Sequence, residues 1–106
     1  MAFKKFTIIW SPSFKKEFQK IYEYIAYNLN EPIIARRFYN EIIGSLNSLK
    51  LFPKRHPKIL SSNKFPNDIR KFIIKKYIIF FSIDLFNNEI HLLHIVHNTQ
   101  DFFNLL

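Results

Sequence analysis

The residues of this chain with the most evident chemical potential lie along one apolar run, from Arg70 to His97. The fork of N–H donors on an arginine suits phosphate oxygens, and an imidazole titrates near neutral pH and can act as a general acid or base. With the paired Lys75 and Lys76, these are the groups that metal-free cleavage of a phosphodiester needs: a base, an acid and cations that stabilise the phosphorane. Arg70 and His97 are therefore the candidate catalytic residues.

The histidines of the run are separated by the alternation of a strand. This alternation predicts that His91 and His97 share one face of the sheet and that His94 points to the other. We therefore interpret His94 as a packed side chain and His97 as the better functional candidate, with His56 as a weaker one. The same separation argues against a metal site built from the three strand histidines, and no metal or other cofactor is predicted.

Further cations lie in a proline-punctuated connector, residues 53–67, and between two strands. The connector is polar and contains no acidic residue from Pro53 to Asn67, so it is either a surface crossing or a segment that faces phosphates. The candidate phosphate- or partner-binding residues are Lys54, Arg55, Lys64, Lys75 and Lys76. For Arg70, the alternative to a catalytic role at a phosphate is a surface ion pair with Asp68 or Glu89.

The first half of the chain predicts a strand and then two antiparallel helices. Residues 4–10 are short and apolar, and Ser11 with Pro12 marks a helix start. A buried stripe at spacings of three and four follows, formed by Phe14, Phe18, Ile21, Ile25 and Leu29. Pro32 begins a second helix, in which Gly44 is predicted to permit close packing. The buried positions predicted for that helix are Ala35, Phe38, Ile42, Leu46, Leu49 and Phe52.

Three further strands are predicted, over residues 69–74, 77–84 and 89–97, with a turn signalled by Asn87 and Asn88. Both faces of the middle strand are apolar, and the helices can cover only one of them. The other face must therefore meet the C-terminal tail or another protein. The predicted fold is α+β, with an N-terminal strand, an antiparallel two-helix hairpin and a three-stranded antiparallel meander packed on the hairpin, in one domain over residues 1–106.

Composition limits the classes of function. The formal net charge is +8 in 106 residues, which favours polyanions or acidic proteins as partners, although plain solubility is an alternative. The absence of Cys excludes disulfides, thiolate zinc sites and a Cys nucleophile, and it fits a reducing cytoplasm. We find no secretion signal and no apolar run that approaches the roughly 20 residues of a membrane helix, so a soluble cytoplasmic protein is expected.

The order of elements coincides with five segments that resemble a known family. The segments are IIWSPSFKKEFQKIYEYI, EPIIARRFYNEI, LKLFP, IRKFIIKKYIIFFSID and HIVHNTQDFFNLL. Together they resemble the RelE/ParE superfamily of type II toxin-antitoxin toxins over nearly the whole chain. The resemblance implies a small α+β toxin that arrests growth and is inactive while bound to its cognate antitoxin.

The resemblance leaves two targets open, because RelE-like members cut mRNA in the ribosomal A site and ParE-like members inhibit DNA gyrase. Arg70 matches the arginine that opens the second strand in RelE-like members, and His97 falls where the family often has a histidine or tyrosine. Many relatives have an arginine just before the closing acid, whereas this chain has Gln100 before Asp101, and a neutral Gln cannot stabilise a phosphorane as a cation does. We therefore favour the ParE-like target. A degenerate toxin that acts only as a basic binding module is a third hypothesis.

Overall fold

The computed structural model describes residues 6–51, 53, 58–60 and 69–98, with residues 58–60 described by their backbone alone. Its elements follow the predicted order, with a π-helical turn and a three-residue strand before the meander added. They are β1 (Thr7–Trp10), α1 (Pro12–Glu23), a π-helical turn (Tyr24–Asn28), α2 (Pro32–Leu49), β2 (Lys58–Leu60), β3 (Ile69–Ile74), β4 (Tyr77–Asp84) and β5 (Glu89–His97). The described residues include no helix long and apolar enough to span a membrane.

Ser11 both starts α1 and ties it to the sheet. Its hydroxyl oxygen accepts from the Phe14 backbone N–H at 3.0 Å and donates to the Leu93 carbonyl at 3.1 Å. The first bond satisfies one of the N–H groups that a helix start leaves unpaired, and Pro12 has no N–H to satisfy. One residue therefore fixes where the helix begins and where it lies against β5.

The predicted stripe of α1 holds through Ile25 and then fails at Leu29, which is 51% exposed. The cause is the π-helical turn, in which the Leu29 N–H reaches back to the Tyr24 carbonyl at 3.0 Å. A π-turn contains one more residue than an α-turn and rotates the following side chains away from the stripe. Asn30 then adopts a positive φ of 53° and the chain reverses into α2.

In α2 the predicted positions Ala35, Phe38, Ile42, Leu46 and Leu49 are all buried, whereas Phe52 lies outside the described residues. The role predicted for Gly44 is wrong. It lies on the exposed side of α2, and a Cβ built on it would meet nothing within 4 Å. Gly44 therefore lowers the stability of the helix and does not permit any close packing.

Gly44→Ala should raise the free energy of unfolding by about 0.5–1 kcal/mol, because alanine loses less backbone entropy than glycine in a helix. Urea denaturation followed by circular dichroism measures the change. An unchanged or lower denaturation midpoint would contradict this account of Gly44.

The sheet has five strands in the order β1-β5-β4-β3-β2. Strands β3, β4 and β5 form the predicted antiparallel meander, and β1 joins its edge parallel to β5. Strand β2 was not predicted, since the connector was interpreted as a loop. It is only three residues long, and its pairing with β3 shifts register between Lys58 and Leu60, so it carries too little pattern to be recognised.

The two faces of the sheet hold separate clusters of buried side chains. On the hairpin side, Ile79, Phe81 and Ile83 of β4 pack with α1 and α2 in the main core. On the opposite side, which we call the second face, Ile78 and Phe80 of β4 lie in a smaller cluster with Ile69, Val96 and Leu93. The alternation predicted for β4 is confirmed. The C-terminal tail, predicted as one possible cover of the second face, lies outside the described residues after Asn98.

Candidate functional site

The two candidate catalytic residues lie on different strands and in different rows of the sheet. Arg70 of β3 pairs with Phe81, whereas His97 of β5 pairs with Tyr77. At about 3.3 Å per residue and about 4.8 Å per strand, their Cα atoms are about 16 Å apart. Both lie on the hairpin face, and the fully buried Ile79 lies on the line between them. The structure therefore does not bring Arg70 and His97 together around one small group.

His97 lies in a groove of about 550 Å³ between the end of β5 and the first helix, which we call the His97 groove. Its imidazole meets the Tyr77 ring edge-on, with 5.6 Å between the ring centroids. Burial raises the pKa of the Tyr77 phenol, so that at neutral pH it is a protonated donor and not a base. The groove is lined by Glu17, Lys20, Ile21, Tyr24, Ile25, Leu29, Lys76, Tyr77, Ile95, Val96 and His97.

The two predicted phosphate-binding lysines of the β3–β4 turn lie in different surroundings. Lys75 has a positive φ of 53° in the β3–β4 turn, and its ammonium lies 2.6 Å from a carboxylate oxygen of Glu41 on α2. Lys76 lines the His97 groove, and its carbonyl accepts from the Asn98 N–H at 2.7 Å. The predicted site residues that lie outside the described part of the chain are Lys54, Arg55, His56, Lys64, Asp68, Gln100 and Asp101.

The prediction of which histidines share a face of the sheet is partly wrong, because β5 contains a β-bulge. Phe80 pairs with His94 and Phe81 with Leu92, so Leu93 is an extra residue in the strand. An extra residue reverses the alternation beyond it. His91 therefore lies on the second face and His97 on the hairpin face, so these two do not share a face as predicted.

His94 makes a contact that the sequence did not reveal. Its Nδ1 lies 3.1 and 3.0 Å from the two carboxylate oxygens of Glu17 on α1, and one of these oxygens also accepts from the Ile95 N–H at 3.2 Å. Glu17 thereby satisfies a backbone donor on the part of β5 beyond its pairing with β1. His94 is therefore a packed histidine, as predicted. Its contact with Glu17 helps to hold α1 on the sheet.

A second groove, of about 640 Å³, runs over the two helices, and we call it the hairpin groove. Its walls are largely aromatic and carry the cations Lys15 and Arg36. It is lined by Trp10, Lys15, Phe18, Gln19, Tyr22, Glu23, Tyr27, Arg36 and Tyr39. Sequence reasoning missed this groove, although tyrosines at helix positions outside the buried stripe are the signal that could have revealed it.

The hairpin groove adjoins further apolar side chains that solvent reaches. Tyr27, which lines the groove, is 74% exposed, and Ile33, which lies beside Arg36, is 73% exposed. A surface of large apolar side chains beside arginine and lysine suits an amphipathic partner that carries acidic residues. Among the described residues, the lining of the hairpin groove contains no histidine, whereas the His97 groove is lined by an imidazole, a phenol and the cations Lys20 and Lys76.

The comparisons with known proteins agree with this fold. The family model for the ParE toxin of the type II toxin-antitoxin system, parDE, matches residues 8–102. The fold is similar to a chain of the chromosomal ParDE system from P. aeruginosa, with a TM-score of 0.69 and 17% identity over 89% of this chain and 97% of that one. It is also similar to a chain of the RelBE2 toxin-antitoxin complex from Mycobacterium tuberculosis, with a TM-score of 0.55 and 16% identity over 88% and 98% of the two chains.

A comparison with curated proteins finds no match. At 16–17% identity, the likeness to solved structures shows the fold alone, whereas the family model spans nearly the whole sequence. The resemblance of the sequence to the RelE/ParE superfamily is thereby confirmed. This chain belongs to the family of ParE toxins of type II toxin-antitoxin systems.

Proposed function

We propose that this toxin inhibits DNA gyrase and that a cognate antitoxin neutralises it. The observation that carries the choice of target is the placement of Arg70 and His97. General acid–base catalysis requires its groups within hydrogen-bond reach, about 2.6–3.2 Å, of the proton that they move. The buried Ile79 lies between the arginine and the imidazole, which argues against the two acting on one phosphate as a RelE-like nuclease would need.

Other features of the chain support the same choice. The family model that matches is that of the ParE toxin, and gyrase inhibition is the activity that the resemblance to ParE-like members implies. Lys75, a candidate phosphate ligand, is engaged by Glu41. Gln100 stands where many relatives have an arginine. The last two features each leave one cation fewer to direct at the scissile phosphate, and neither hinders the binding of a protein target.

The hairpin groove is our proposed docking site for the antitoxin. Its exposed tyrosines and the neighbouring Ile33 offer anchoring positions for apolar side chains, and Arg36 and Lys15 offer partners for carboxylates. The net charge of +8 further favours an acidic partner through long-range attraction. The proposed occupant is an amphipathic, acidic segment of the antitoxin.

Two assays run in parallel test the target. The purified chain should block supercoiling of relaxed plasmid by gyrase, and a translating ribosome supplied with the same amount of protein should show no codon-phased mRNA cuts. Prior mixing with the antitoxin should restore supercoiling and serves as the control. Codon-phased cuts together with normal supercoiling would overturn the proposal.

Ribosome-dependent cleavage of mRNA is the second candidate function, and the His97 groove is the observation that favours it. The groove places an imidazole near Lys76 and Lys20, which could bind a phosphate without Arg70. This alternative requires that His97→Ala abolishes the mRNA cuts while His91→Ala, a change on the second face, preserves them. Expression of the chain without antitoxin should stop bacterial growth under either function, and normal growth with folded protein present would exclude both.

A further inference from the structure

An acidic corner at the end of the β4–β5 hairpin has no role in gyrase inhibition or antitoxin binding as proposed above. Asp84 ends β4 and pairs directly with Glu89, the first residue of β5. His91 lies two positions further on the same side of β5, and its Nε2 is 3.2 Å from a carboxylate oxygen of Glu89. All three side chains lie on the second face, away from both grooves.

The two carboxylates at this corner are opposite in sign to the net positive charge of the chain. The sequence has 16 Lys and Arg residues, and none of them lies between Tyr77 and Leu106. Like charges directly opposite each other on paired strands are destabilising, so a cation bound between Asp84 and Glu89 would relieve a repulsion. Among the described residues, no lysine or arginine pairs with either one, and the basic group in contact with Glu89 is the His91 imidazole.

Two hydrogen bonds from Asn87 orient the carboxylate of Asp84. One of its carboxylate oxygens accepts from the Asn87 backbone N–H at 3.0 Å, and the other accepts from the Asn87 amide at 2.8 Å. These hydrogen bonds hold the pKa of Asp84 below its ordinary value. A neighbouring amide that orients a carboxylate in this way is a common support for a metal ligand.

We propose that Asp84, Glu89 and His91 bind one divalent transition-metal ion, for which Zn²⁺ is the probe. One donor atom from each residue lies within 4.8 Å of the other two. A zinc ion at about 2.1 Å from each ligand places neighbouring ligand atoms about 3.4 Å apart, so small side-chain rotations suffice. The imidazole favours zinc, nickel or cobalt over the all-oxygen ligand sets of calcium and magnesium.

The site is open on one side. The side chains of His91 and Glu89 are 37% and 31% exposed, so an ion can enter, and water or a partner group can complete its coordination. Because the ligands come from both strands of the hairpin, a bound ion would tie β4 to β5 across the turn from Leu85 to Asn88. Zinc should therefore raise the melting temperature of the protein as well as bind to it.

Isothermal titration of ZnCl₂ into the full chain, free of any histidine tag, tests the proposal at pH 7.5. We expect one zinc ion per chain and a rise in melting temperature. His91→Ala should weaken binding at least tenfold and remove the rise. His94→Ala is the matched control, because it removes an imidazole from the same strand and should leave the zinc affinity unchanged.

Asp84→Asn is the second variant, and it decides the test if His91→Ala fails to fold. It keeps the size of the side chain and should also weaken zinc binding at least tenfold. No binding by the native chain at millimolar zinc would overturn the proposal. Binding that survives both His91→Ala and Asp84→Asn, or that is lost equally in His94→Ala, would overturn it too.

Discussion

Phe81→Ala should lower the free energy of unfolding by about 3–5 kcal/mol. Phe81 is fully buried on the central strand β4, where it faces α1 and α2 in the main core. Its removal loses the transfer free energy of a phenyl ring and leaves a cavity that β3 and β5, hydrogen-bonded on either side, cannot close. Since domains of this size are stable by about 5–15 kcal/mol, a large share of the stability is lost.

Phe86→Ala is the matched control for this change. Phe86 lies in the turn after the same strand and is 96% exposed, so an identical deletion there should change the free energy of unfolding by less than about 0.5 kcal/mol. Urea denaturation of both variants gives the comparison. A loss below about 1 kcal/mol in Phe81→Ala would mean that the hairpin does not pack on β4 as described. Comparable losses in both variants would contradict the burial difference.

The strands from Ile69 to His97 could be predicted from sequence to the residue, because local signals bound each of them. Apolar runs with a period of two end at Lys75-Lys76 and at Asn87-Asn88, and two residues in these turns, Lys75 and Asn88, adopt a positive φ. The five predicted buried positions of α2 that the structure describes are correct for a related reason. A helix without an irregular turn keeps its period over its whole length.

Two of the errors share a physical cause, which is that a single inserted residue changes the phase of a pattern without changing its composition. The bulge at Leu93 moves His97 to the hairpin face, and the π-helical turn moves Leu29 into solvent. At the bulge, the Ser11 hydroxyl donates to the Leu93 carbonyl, and no local sequence pattern contains that partner.

The candidate site could be predicted less well than the fold, because a site depends on which residues of neighbouring strands lie opposite each other. Arg70 and His97 have the residue types of a catalytic pair, and both lie on the hairpin face. Only the register shows that Ile79 lies between them. The predicted strand ends already place Asp84 opposite Glu89 across the turn, whereas the contact of His91 with Glu89 is visible only in the structure.

Tyr27→Ala should weaken binding of the antitoxin by about 30-fold or more, if the antitoxin docks in the hairpin groove. Tyrosines at the centre of an interface commonly contribute about 2 kcal/mol or more when truncated, and 2 kcal/mol corresponds to about 30-fold in Kd. Tyr27 lines the groove and is 74% exposed in the free chain. Its removal should therefore cost binding free energy and leave the free energy of unfolding nearly unchanged.

Tyr24→Ala provides the comparison for this last prediction, because it deletes the same side chain from the same π-helical turn. Tyr24 is 53% exposed but lines the His97 groove on the other side of the first helix. Titration calorimetry with the purified antitoxin should give a large loss for Tyr27→Ala and a loss below threefold for Tyr24→Ala. In cells, the Tyr27 variant should stop growth even when antitoxin is co-expressed at the level that protects against the native chain. If Tyr24→Ala is the more damaging change, the antitoxin docks at the His97 groove, and the partner surface proposed here is on the wrong side of the hairpin.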